Sequence, residues 1–259
     1  MSLEYAPKGL LGVLTPQANT TAEIEFNALM PPGFASLVAR MTSALPDLEG
    51  RLMEYFERLD QSIAQFANAP LTAVAVACTG SSYLMGAQRE DTLFETLSLE
   101  RGVPVTSAGL SVVQACQTLG AHRIAVLSPY SDSLTAASVA YWQARGLEVV
   151  EVVRIGSDTT SFHPIYSIQA SATLQALHAV QTDQAQAIIC LGTGLPSLGT
   201  ILSNPVHRSA PVFSCMLALA WNALRLAQQQ TADATRLRDF IAGSDWQASF
   251  RARFPAPPG

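Results

Sequence analysis

Two pairs of segments in this chain match one another at nearly the same spacing. LGVLTPQANT at 11–20 resembles IAVLSPYSDS at 124–133, and AVACTGSSYL at 75–84 resembles IICLGTGLPS at 188–197. Pro16 falls opposite Pro129, 113 positions on, and Cys78 falls opposite Gly192, 114 positions on. Either match alone is weak, but two at almost one offset indicate an internal duplication. Short apolar, β-branched runs alternate with longer amphipathic stretches through both copies. Strands are expected at 10–15, 36–39, 73–77, 103–106, 123–127, 147–153, 187–191 and 211–214. Helices are expected at 48–67, 83–101, 107–119, 133–145, 167–181 and 217–229, and the Pro-rich tail FPAPPG is expected to fray. Alternation of this kind implies parallel sheets with helices on both faces, and runs such as LTAVAVA are apolar throughout, as doubly covered strands are. The expected fold is therefore α/β, with two pseudosymmetric domains, each a parallel sheet flanked by helices. The first takes 1–106 plus 215–259 and the second takes 107–214. Ligands in such sheets sit beyond the carboxyl ends of the strands, so the active site is expected in the cleft between the halves.

The turns after the repeated strands supply the candidate binding groups. Thr79-Gly80 and Thr193-Gly194 each follow a strand and precede a helical stretch. Glycine permits close backbone approach, threonine brings a hydroxyl, and the free amides of a helix start favour an anion of carboxylate size. Pro16 and Asn19 line the loop after the first strand, where Asn19-Thr20-Thr21 supplies neutral donors and also reads as a helix cap followed by Glu23. Tyr130, after Pro129, can donate a phenolic hydrogen bond to a carboxylate or enolate, whereas Asp132 reads as a helix cap. Cys78 is the residue with chemistry. At a strand end beside a helix start, its thiol is expected to ionise more readily than usual and to act as nucleophile or proton carrier. Cys116 and Cys215 read as inert core thiols, Cys190 as a strand residue turned into the core, and His163 as a loop histidine within reach of the cleft.

Composition narrows what this cleft can serve. Fifteen Lys+Arg against twenty Asp+Glu, a net charge of −5 and no basic run leave no footprint for nucleic acid or an anionic membrane. No apolar run reaches the roughly 18 residues of a membrane span, and MSLEYAPKG lacks the pattern of a secretory signal, so a cytoplasmic protein with free thiols is expected. Lys8 is the only lysine, and a Schiff-base enzyme would need that near-terminal residue as its nucleophile, so this chemistry is not expected. The four cysteines and four histidines are scattered without metal-ligand spacing, and no metal is expected. With 14% charged residues, the chain fits a cleft that holds carboxylates by neutral donors.

On GVLTPQANTTAEIE, VACTGSS, SAGLSVVQACQTLGAHRIAVLSPYSD and LALAWNALRLA, the chain resembles the aspartate/glutamate racemase superfamily, in the branch of maleate cis–trans isomerases and arylmalonate decarboxylases. The similarity runs from about Leu10 to Gln228. It implies two pseudosymmetric α/β domains with the active site between them and neither metal nor organic cofactor. Members usually carry one cysteine in each half. Cys78 matches the first, and the second falls on Gly192. Arylmalonate decarboxylases also keep one cysteine, but in the second half, so this chain looks like their mirror image. The asparagine expected after the sixth strand of maleate isomerases falls near Thr159-Thr160.

Two one-cysteine reactions follow from that pattern. In one, the Cys78 thiolate adds to a cis-enedioate such as maleate, the bond rotates and the thiolate leaves. In the other, a malonate-type substrate loses carbon dioxide and Cys78 protonates the enediolate. The maleate isomerase-like reading leads, because the first-half cysteine and Asn19-Thr20-Thr21 both match it. A non-catalytic carboxylate-binding protein is the alternative from another class. The expected partner is a small carboxylate or dicarboxylate, and a homo-oligomer is compatible with the sequence.

Overall fold

The computed structural model describes residues 3–156 and 164–254. The first part of the chain runs β1 (Gly9–Pro16), α1 (Ala22–Leu29), β2 (Phe34–Met41), α2 (Leu48–Glu57), α3 (Leu59–Ala64), β3 (Ala73–Val76), α4 (Thr79–Met85), α5 (Ala87–Arg101) and β4 (Val105–Ser107). It continues with α6 (Ala108–Leu119), β5 (Arg123–Ser128), α7 (Asp132–Ala144), β6 (Glu148–Arg154), α8 (Ala170–His178), β7 (Ala187–Cys190), α9 (Leu198–Ser203), β8 (Val206–His207) and β9 (Ala210–Ser214). The helices α10 (Cys215–Ala227), α11 (Ala234–Ile241) and α12 (Gln247–Arg253) close it.

The strands form two sheets with orders β2-β1-β3-β4 and β6-β5-β7-β9-β8. All pairings are parallel except β8 with β9. Set β8 aside and the second sheet repeats the first strand for strand. The repeated segments supply β1 and β5, and β3 and β7. In each sheet the winding reverses between these two central strands, which is where an open parallel sheet offers a crevice. Alternation alone does not explain their burial: Leu11, Val13, Leu14, Val74, Val76, Ile124, Val126, Ile188 and Ile189 have no exposed surface. Each such side chain contributes about 1.5–3 kcal/mol by leaving water.

All eight expected strands form, and the differences lie in the helices. The expected helix at 48–67 is two, because Arg58 leaves helical geometry at φ −110°, ψ 24° with no glycine or proline beside it. The one at 83–101 starts earlier, at Thr79, and breaks at Gly86, whose φ of +80° lies in the region open to glycine. The one at 167–181 shortens to α8. The caps at Asn19-Thr20-Thr21 and after Thr193-Gly194 pointed to helix starts, where the short α1 and α9 form, whereas α11, α12 and the two-residue β8 were not anticipated, being short. The tail beyond position 254 lies outside the described residues, and no helix among those described is long and apolar enough to cross a membrane.

A buried polar cluster ties α5 to α7. The Glu90 carboxylate, without exposed surface, accepts hydrogen bonds from Ser107 Oγ (2.6 Å), Tyr141 Oη (2.5 Å) and Arg145 Nη2 (2.8 Å). Full pairing of this kind is what makes a buried carboxylate tolerable.

Candidate active site

The carboxyl ends of β1, β3, β5, β6 and β7 converge on one cavity of about 380 Å³. Pro16 and Asn19 enter from β1, Cys78, Thr79 and Gly80 from β3, Pro129 and Tyr130 from β5, Arg154 and Ile155 from β6, and Thr193 and Gly194 from β7. Leu48 and Leu52 of α2, Ser131, Leu134 of α7, Gly156, Ile165 and Tyr166 complete it. Eight of the nine site residues expected from sequence therefore line one space. The ninth, Gly192, stands just behind it. Its φ is +89°, and a Cβ built there would meet Ile165 Cδ1 at 2.7 Å and Tyr130 Oη at 3.0 Å. The position that would carry a second cysteine is therefore both strained for a side chain and already filled.

Cys78 caps the N-terminus of α4 and is 2% exposed. Its sulfur lies 3.1 Å from Ser81 Oγ, which in turn donates to the Leu52 carbonyl at 2.6 Å. A hydroxyl has one hydrogen, and the carbonyl can only accept. At rest, then, Cys78 donates its S–H to Ser81. The expectation of a lowered thiol pKa is corrected here. Burial pushes the pKa up, and the Ser81 side chain and the Ser81 and Gly80 amides only partly offset it. The two amides would hold the thiolate once formed, and Ser81 Oγ would join them by turning its hydrogen from the Leu52 carbonyl to the sulfur.

Neutral donors dominate the other surfaces. Thr79 Oγ1 and Tyr130 Oη share a hydrogen bond of 2.8 Å, so one of the two hydroxyl hydrogens remains free to turn elsewhere. Burial raises the Tyr130 pKa well above the phenol range, which keeps it a donor. Thr193 is less free than expected: its hydroxyl donates to the Ala77 carbonyl at 2.7 Å and accepts from Asn19 Nδ2 at 3.3 Å. Asn19 Oδ1 accepts from the amides of Thr21 and Ala22, both at 2.9 Å, and so caps α1 as its sequence context suggested. Arg154 is the one cation among the described lining residues. Its guanidinium is held by the Tyr130 and Ser131 carbonyls, by Thr135 Oγ1 and by Asp132.

The remaining thiols are buried. Cys190 lies within β7, paired with Leu127 and Ser214, outside the cavity lining. Burial pushes the Cys116 and Cys215 thiols up to about 12. Cys215, at the start of α10, also stays outside the cavity lining. His163 and Thr159-Thr160 lie outside the described residues. Sequence reasoning missed Leu48, Leu52, Ile155, Ile165 and Tyr166, which carry no motif. Ser81 was within reach, since it stands three residues after Cys78 at a helix start.

Comparison with known proteins gives a consistent result. The sequence model of the family described as arylmalonate decarboxylase matches residues 12–238. The maleate isomerase of Geobacillus stearothermophilus is 25% identical over 240 residues, covering 85% of this chain and 92% of that protein. That of Nocardia farcinica is 28% identical over 229 residues, covering 83% and 88%. Among solved structures, the maleate isomerase Iso from Pseudomonas putida S16 superposes with a TM-score of 0.76 at 22% identity, over 86% of this chain and 93% of that one. A cysteine-to-serine mutant of the Nocardia farcinica maleate cis–trans isomerase, with a covalently bound succinylcysteine intermediate, gives 0.75 at 20% identity over 89% and 98%. These structures share the α/β fold described above.

Proposed function

We propose that this chain, which belongs to the arylmalonate decarboxylase family, is a cofactor-independent isomerase of a small cis-enedioate, acting as the maleate isomerases do through Cys78. The halves 1–106 plus 215–259 and 107–214 form the two walls of its cleft. One observation carries the reading: a single thiol, backed by Ser81 and two helix-start amides, lies in a cavity whose other polar groups are mostly neutral hydroxyls and amides. In this reaction the thiolate pair forms the C–S bond and the alkene π pair moves onto the adjacent carboxylate as an enediolate. The former double bond rotates, the pair returns and the thiolate leaves, so no proton is consumed. The Thr79–Tyr130 pair, with one hydroxyl hydrogen free, would donate to the carboxylate that gains charge, which is where preorganised donors act most strongly. Pro16, Asn19, Gly80, Thr193 and Gly194 shape the walls, with Gly192 behind them. The covalent succinylcysteine of the Nocardia farcinica relative supports a thiolate addition of this type.

A second reading has its own support. Leu48, Leu52, Leu134, Ile155 and Ile165 make much of the wall apolar, an environment suited to a hydrocarbon substituent that maleate lacks. An aryl- or alkyl-malonate would place that substituent there, lose carbon dioxide and take one proton from Cys78. Incubation with maleate and, separately, with phenylmalonate in deuterated water, followed by NMR, separates the two. Fumarate without loss of carbon dioxide supports isomerisation, and a singly deuterated monoacid supports decarboxylation. Stoichiometric binding of either acid without turnover would instead mark a carboxylate-binding protein.

A further inference from the structure

Glu25, on α1, is a carboxyl group that the chemistry above does not use. It is 5% exposed and is not among the residues that line the cavity. Its Oε1 accepts from the amides of Ser197 (2.6 Å) and Leu198 (3.0 Å), and its Oε2 accepts from Ser197 Oγ (3.0 Å). These partners lie 172 and 173 positions along the chain, in the segment that brings Thr193 and Gly194 to the cavity. The same stretch of the first half holds that segment at two further points. Thr21 Oγ1 donates to the Gly194 carbonyl at 2.9 Å, and Asn19 Nδ2 donates to Thr193 Oγ1 at 3.3 Å. Thr193 in turn donates to the carbonyl of Ala77, next to Cys78. Of these links only Glu25 binds two backbone amides at once, so it fixes the direction of the segment as well as its distance.

We propose that Glu25 is a positioning residue for the cavity, clamping 193–198 against α1 so that Thr193 and Gly194 stay closed over Cys78. The proposal rests on the reading of this cavity as the reactive site. The clamp depends on reach rather than charge. A glutamine keeps an oxygen for both amides and turns its NH₂ to Ser197 Oγ, which then accepts instead of donating. An aspartate keeps the charge but is one methylene short.

The test is alkylation of the whole protein by iodoacetamide, read cysteine by cysteine by mass spectrometry. In the parent protein and in Glu25→Gln, Cys78 should react slowly and at the same rate. In Glu25→Asp and Glu25→Ala, Cys78 alone should react about tenfold faster, the change expected when a buried hydrogen-bonded contact is lost. Cys116, Cys190 and Cys215 should remain silent. Equal Cys78 rates in all four proteins would overturn the proposal. So would a slow Glu25→Asp beside a fast Glu25→Gln, or labelling of all four cysteines, which would mark a role in the fold as a whole. Because the readout needs no turnover, it is separable from the functional reading. If Cys78→Ser leaves activity intact while labelling responds as stated, the function assignment fails and the clamp stands.

Discussion

The turn after β3 and the turn after β7 occupy equivalent places in two sheets of the same strand order, and the molecule uses them in opposite ways. The first turn presents a thiol to the cavity, with a serine hydroxyl and two amides ready to receive its charge. The second turn has a glycine where the thiol would stand, with Ile165 and Tyr130 in the space its side chain would need. Even the shared threonine differs. Thr79 meets the Tyr130 phenol, while Thr193 spends its hydrogen on the Ala77 carbonyl. Duplicated backbones thus need not mean duplicated side chains: one copy carries a thiol at its turn and the other a glycine fitted among its neighbours.

Several substitutions would break or sharpen this division. The largest effect is expected from Cys78→Ser, which should lower turnover by at least about a thousandfold while circular dichroism stays unchanged, since it removes the nucleophile or acid outright. Ordinary turnover in that variant would place the chemistry elsewhere.

Gly192→Cys comes next. It should not restore a two-thiol site. It should lower stability in urea by about 1–3 kcal/mol, because φ +89° is strained for any side chain and Ile165 must give way. A variant as stable as the parent, with its new thiol readily alkylated, would show that the second wall is empty rather than filled.

Ser81→Ala should raise the Cys78 pKa further and slow its alkylation at pH 8 by up to about tenfold, the equivalent of one unit. An unchanged rate would mean that the amides alone hold the thiolate.

The smallest effect concerns the clamp behind the second turn. Burial raises the Glu25 pKa from 4.5 to about 7, against the pull of its three hydrogen bonds. The folded state thus binds a proton that the unfolded state has already lost between those values. Its contribution to stability is complete below pH 4.5 and is lost as pH rises through 7. Urea midpoints measured for the parent protein and Glu25→Gln should therefore diverge over that window, with the parent falling relative to the variant. Parallel curves would mean that Glu25 keeps its ordinary pKa.

Much of this was legible before any coordinates. Apolar runs and the repeat located every one of the eight longer strands, and the strand ends led to Cys78, Tyr130 and the Thr-Gly turns. What stayed hidden depends on contacts between distant positions. The apolar wall of Leu48, Leu52, Ile155 and Ile165 looks like ordinary core until the sheets are set face to face. The direction of the Cys78 shift depends on burial outweighing the helix start, which local context cannot weigh. The helix break at Arg58 has no glycine or proline to announce it, and Glu25 finds its amides more than 170 residues away.

The fitted second wall also decides handedness. The trigonal enediolate carbon of a malonate-type substrate bearing two different substituents, held in this cavity, would have one face toward the only thiol that lines it among the described residues and no second thiol on the other. Hydrogen delivered by Cys78 would then arrive from a single direction. A malonate-type substrate would therefore leave as one enantiomer, set by the glycine that cannot answer the cysteine.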